Sequence, residues 1–216
     1  MLAMTESSKH LWDVALDLLT LAGGALAFWL GLRQWAVSQQ WQRAEQLDKF
    51  VTEFESNDKL LLAATLLDWT DRKTQYGKQK LTIRNAEVLL ALRPHTEMKP
   101  DDEDEGNYTG NQPLLRDAYD ALLSFFVRLE LALEGGLVDA RAAGKYFRYW
   151  LERWMTMDRH GDDERVLKGR SPAEMAAAYT RAYGDPESLL SLGRRLGVAT
   201  PPAWRARTGA DPGNQL

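Results

Sequence analysis

No cysteine occurs among the 216 residues. That absence excludes disulfides, thiolate metal sites, cysteine nucleophiles and a lipidated cysteine, and it suits a reducing compartment. Histidine is nearly as scarce: His10, His95 and His160 stand in separate regions, none with a second histidine at ligand spacing. Each reads as a surface residue. An excess of positive charge is missing too. The net charge is −4, whereas duplex binding rests on many Lys and Arg neutralising phosphates, so no nucleic-acid partner is expected. The sequence also lacks HExxH, GxSxG, a phosphate-cradling glycine loop, a dinucleotide fingerprint and the Glu-x-x-His pairs of a di-iron bundle. It therefore assigns no catalytic residue, no metal and no cofactor. Whether the chain is an enzyme stays open, with a non-enzymatic role favoured.

Long apolar runs are absent with one exception. Leu18 to Leu32, LLTLAGGALAFWLGL, carries no charge, and it reads as the core of a single membrane-spanning helix. Fifteen residues rise about 22 Å against roughly 30 Å of hydrocarbon, so the span borrows neighbours, and a transmembrane helix is expected over residues 11–34. Asp17 then sits near the outer boundary, where a carboxylate reaches the headgroups. Trp12 and Trp35 flank the run as interfacial aromatics do. A cleaved signal peptide fits less well, because the first ten residues carry Glu6 and only Lys9 as a basic residue. A buried helix of a soluble core is the other rival. Lys9 stands alone before the span while Arg33, Arg43 and Lys49 follow it, which predicts an outside N-terminus and a cytoplasmic C-terminal part. Gly23, Ala27 and Gly31 recur every four residues, a small-residue stripe through which two such helices can pack.

Residues 35–56 read as a stalk helix with Trp41, Ala44, Leu47, Phe50, Val51 and Phe54 along one stripe. The stripe needs cover, from the following helix or from a parallel coiled coil with a second copy, and the first is favoured for so short a repeat. Ser56-Asn57-Asp58 supplies a turn and a cap before a dense apolar helix over Lys59–Trp69. Thr70 to Lys80 is polar and turn-like; Leu81-Thr82-Ile83 is a strand candidate with no second strand to pair with. A helix from Asn85 to Arg93 stops at Pro94. Residues 99–112 form the clearest loop, with Asp101 to Glu105 all acidic. It reads as solvated rather than as a calcium loop, since Gln112 stands where a bidentate Glu is needed.

Pro113 opens a long helix that ends at Gly135-Gly136, and a second runs from Leu137 to Met157. The short connection predicts an antiparallel pair. Tyr146, Trp150 and Trp154, spaced by four, read as a core seam with arginine stems over it rather than a base-stacking surface. Ser171-Pro172 with Glu174 is a capping box with proline at N1; that helix runs to Tyr183, and Pro186 starts another through Leu196. Residues 197–216, rich in Pro and Gly, read as a disordered tail.

LRDAYDALLSFFVRLELALEGGLVD from Leu115 to Asp139 and YFRYWLERW from Tyr146 to Trp154, with RQWAVSQQWQRAEQLDKFVTEFESND from Arg33 and the pair Asp68-Trp69, carry a resemblance. The chain resembles an uncharacterised bacterial family of small membrane-anchored helical proteins, a domain of unknown function. The likeness covers Leu11 to Gly197, implies a bacterial inner-membrane protein, and brings no catalytic residues with it.

The fold expected is all-α: a short N-terminal segment (1–10), a single transmembrane helix (11–34) continuing into a stalk (35–56), a cytoplasmic helical bundle (57–196) and a disordered tail (197–216). Asp68, Arg116, Asp117 and Asp120 lie on or beside apolar helices, where buried charge must be paired, and a structural Asp–Arg pair is expected among them. The partners expected are the lipid bilayer and a protein or a second copy. The favoured role is a membrane-anchored interaction module, a scaffold, sensor or effector subunit. A membrane-tethered enzyme with an unrecognised site and a membrane-acting stress or phage-defence effector are the alternatives.

Overall fold

A computed structural model of the chain describes residues 6–68, 72–94, 110–158 and 169–205, with side chains from Leu16 onward. His95, His160, Trp69, the acidic run Asp101 to Glu105 and residues 206–216 lie outside the described residues, as do the side chains of His10, Trp12 and Asp13. The described chain is mostly helical, as expected. It divides into two compact units, Met1–Glu45 and Gln46–Leu216.

The first unit holds most of α1 (Glu6–Ser56), 51 residues long. No proline interrupts it. Thr20, the one hydroxyl inside the apolar run, donates to the Leu16 carbonyl at 2.8 Å, so its side chain is satisfied within its own helix. The last eleven residues of α1 belong to the second unit. There Leu47 and Phe54 are buried and Phe50 and Val51 are packed against the core. The apolar stripe of the expected stalk is thus covered, from Leu47 on, by the unit that follows it.

In the second unit Asn57 breaks α1 from α2 (Asp58–Asp68) and accepts the Lys59 amide at 2.9 Å. Then comes a β-hairpin, β1 (Arg72–Tyr76) antiparallel to β2 (Gln79–Ile83). This corrects the expectation of a turn and a lone strand. Leu81 and Ile83 are buried on one face of β2, and Gly77, at φ +55°, supplies the positive φ that a two-residue hairpin loop needs at its first position. Among the described residues, four more α-helices follow α3 (Asn85–Ala91): α4 (Gln112–Glu134), α5 (Ala140–Thr156), α6 (Pro172–Tyr183) and α7 (Pro186–Leu196). Their ends are written in the sequence. Asp139 accepts the Ala142 amide, Ser171 and Glu174 form the reciprocal box, and Asp185 accepts from Glu187 and Ser188. Gly136 and Gly197, both at positive φ, close α4 and α7 with the paired backbone bonds of a Schellman end.

α4 is central. It packs against α2, α3 and α7, while α5 packs against α2, α6 and α7. The two long helices meet through rings: Phe125 lies 5.2 Å from Phe147 and Tyr119 lies 5.3 Å from Trp154. The pairing order runs oppositely along the two helices, so they are antiparallel. Phe54 inserts from α1 against Phe125, Phe147 and Trp150. The seam of α5 differs from the one expected. Ala143, Phe147, Leu151, Trp154 and Met155 are buried, Trp150 is partly buried, and Tyr146 is half exposed.

A further correction concerns the C-terminal end. Within the expected tail, Pro202–Trp204 forms a 3-10 turn. Trp204 is buried, and its Nε1 donates to the Met155 carbonyl at 2.7 Å.

Candidate functional site

Two features can carry function: the exposed face of α1 in the first unit, and polar contacts between helices in the second. In α1 every described residue from Leu16 to Ser38 is exposed, including Leu21 at 73% and Phe28 at 70%. Soluble monomers rarely expose so long a contiguous apolar surface. Among the described residues this is the one helix long and apolar enough to cross a membrane, with mean hydropathy 1.3 over its most apolar window and none of that window buried. Leu16 to Trp35 spans about 30 Å of helix, one hydrocarbon thickness. Arg33 closes this stretch with its guanidinium 5.8 Å from the Trp29 ring, one turn back. Gly23 and Gly31 have open space where a side chain would begin, and Ala27 is exposed with them.

The four charged residues singled out in the second unit are divided among separate contacts. Arg116 is buried in α4 and donates to the carbonyls of Ala91 at 3.1 Å and Arg93 at 2.9 Å. It thereby caps the C-terminal end of α3, where a cation complements the helix dipole. Its guanidinium also lies over two rings of α6, 5.0 Å from Tyr179 and 4.7 Å from Tyr183. Asp120, one turn along α4, accepts from the Tyr179 hydroxyl. Burial and then that bond push the Tyr179 phenol above its ordinary range. Asp117 accepts from Lys59 Nζ at 2.9 Å, raising the lysine. Asp68 accepts from the Tyr149 hydroxyl, which rises for that reason first. Arg153 comes within 3.7 Å of the same carboxylate and donates to the Leu67 carbonyl at 2.7 Å. Every one of these contacts joins two elements.

A further polar tie lies outside the four charged residues expected. Glu130, on the apolar side of α4, is 3% exposed and accepts from Ser191 Oγ and from Arg195 Nε at 2.8 Å. A glutamate inside a helical apolar face is the cue that would have exposed it. No group of His, Asp and Glu able to hold a metal ion occurs among the described residues. Comparison with protein-family models, with curated proteins and with solved structures gives no match.

Proposed function

We propose that the protein is a single-pass membrane-anchored interaction module of a bacterial inner membrane. Residues 16–35 form the span and residues 46–205 a helical bundle that works in the cytoplasm through contacts with other proteins. The observation that carries this reading is the fully exposed apolar surface of α1 from Leu16 to Trp35, which water would not tolerate and lipid would cover. Orientation rests on the basic residues that follow the span. Self-association through Gly23, Ala27 and Gly31 belongs to the same reading: open space at the two glycines lets a second helix approach closely.

The polar contacts of the second unit each join two elements of its own fold and so serve its structure. Affinity purification of the full chain in mild detergent, followed by mass spectrometry, tests the proposal. A partner or a second copy should co-purify in stoichiometric amount. Recovery of the chain alone as a monomer, or its full release from membranes by alkaline carbonate, would overturn it.

A further inference from the structure

The hairpin holds a surface that none of the contacts above uses. Register pairs Lys73 with Thr82 and Gln75 with Lys80, and paired residues share a face. That face, with Lys78 at the turn and Arg84 beyond β2, is exposed and cationic. Lys73, Lys78 and Lys80 make no ion pair with any described residue. The opposite face carries Leu81, Ile83 and Tyr76 toward the core.

Backbone geometry adds an open edge. Tyr76 and Gln79 close a two-residue loop and so exchange both backbone hydrogen bonds. The bonds then alternate, leaving the N–H and C=O groups of Lys73, Gln75, Lys80 and Thr82 directed outward. The Thr82 carbonyl confirms this phase by accepting from Asn111 Nδ2 at 3.1 Å. The edge of β2 is therefore partly closed, whereas β1, in a two-stranded sheet, has no strand beyond it among the described residues.

We propose that the outer edge of β1 takes an extended acidic segment of a partner protein as a third strand, its carboxylates lying along Lys73 and Lys80. Main-chain bonds to Lys73 and Gln75 supply the pairing and the lysines supply the selection. The same lysines repel the identical edge of a second copy. Bases would find no ring to stack on, because Tyr76 belongs to the other face. This names the partner class for the interaction module and rests on that reading of the second unit, though not on the anchor.

The test is fluorescence anisotropy of the full chain in detergent micelles with a labelled ten-residue peptide alternating Glu and Val. Saturable binding is expected, weakened at least tenfold by Lys73→Glu with Lys80→Glu, and equally by Gln75→Pro, which removes only an outward N–H. If Gln75→Pro lowers the thermal melt, a peptide N-methylated on alternate residues replaces it and should fail to bind in one of its two registers. Absence of saturable binding, unchanged binding to both the proline variant and the methylated peptides, or tighter binding of anionic vesicles or single-stranded DNA would overturn the proposal. None of these outcomes bears on membrane insertion, so the anchor would stand or fall separately.

Discussion

Arg116 shows at the scale of one residue what separates a charge that can be named from the sequence and a contact that cannot. Its place on the apolar side of α4 marks it as a charge needing partners; that the partners are two carbonyls at the end of α3 and two rings of α6 depends on how three helices meet. Arg116→Ala leaves those carbonyls without their charged donor, at a cost of about 2–3 kcal/mol, read as a lower urea midpoint at unchanged slope. Arg116→Lys should recover less than half: Nη1 alone reaches both carbonyls, but the planar guanidinium also lies over Tyr179 and Tyr183, and a compact ammonium lacks that flat stacking surface. Tyr179 gives a prediction in pH. Its folded pKa lies above the ordinary value of 10.0, so the unfolded chain loses this proton first. The stabilisation is whole below pH 10 and is lost as pH rises through the alkaline range. Tyr179→Phe should make that alkaline limb shallower without abolishing it, because Lys59 and Tyr149 are raised as well. At neutral pH the same change should cost roughly 1 kcal/mol, since Asp120 is exposed and water can replace the phenol.

Among the elements, the long helices were legible because their signals are local. Proline at N1, the Ser171–Glu174 box and the glycine ends set α4, α6 and α7 within a residue or two of where they lie. The hairpin was not legible, because β1 reads Arg-Lys-Thr-Gln-Tyr and carries no apolar alternation; Leu81 and Ile83 of β2 are the buried residues, and β1 adds only the partly buried Thr74 and Tyr76. The seam of α5 was misread for a related reason. Spacing by four selects Tyr146, Trp150 and Trp154 equally, but packing takes the face centred on Phe147, Leu151 and Trp154. Composition hid the turn at Pro202–Trp204, since a segment average gives little weight to one tryptophan. A single indole nonetheless buries on the order of 150–250 Å², and this one also bonds the Met155 carbonyl at the end of α5. Trp204→Ala should therefore cost about 3–5 kcal/mol, and a chain ending at residue 200 should lose as much. Equilibrium urea unfolding checks both; a truncated chain of wild-type stability would show that the indole adds nothing.

For the whole molecule, membrane topology is the question that decides between a module at a surface and a helix waiting for a soluble partner. In the proposed insertion a span of about 30 Å would leave α1 little choice of depth: moving it outward would drag Arg33 further into hydrocarbon, and moving it inward would drag Asp17, each an unfavourable burial of charge. The site question was less legible than the span because a span is one continuous run, whereas Asp68, Arg116, Asp117 and Asp120 each depend on side chains from another element. Topology is also unusually open to measurement, because the chain has no cysteine and any introduced thiol reports alone. Single variants Ser7→Cys and Gln42→Cys stand on the two sides of the proposed span. In intact bacterial cells a membrane-impermeant maleimide should label the first within minutes and leave the second unlabelled until the membrane is permeabilised. Thr20→Cys and Ala27→Cys should resist the reagent in both conditions, since a thiol in hydrocarbon is not ionised to the reactive thiolate. Equal labelling of all four in intact cells would reject insertion, and the reverse order for the first two would place residues 46–205 outside the cell, where an acidic partner of the hairpin would have to be sought instead.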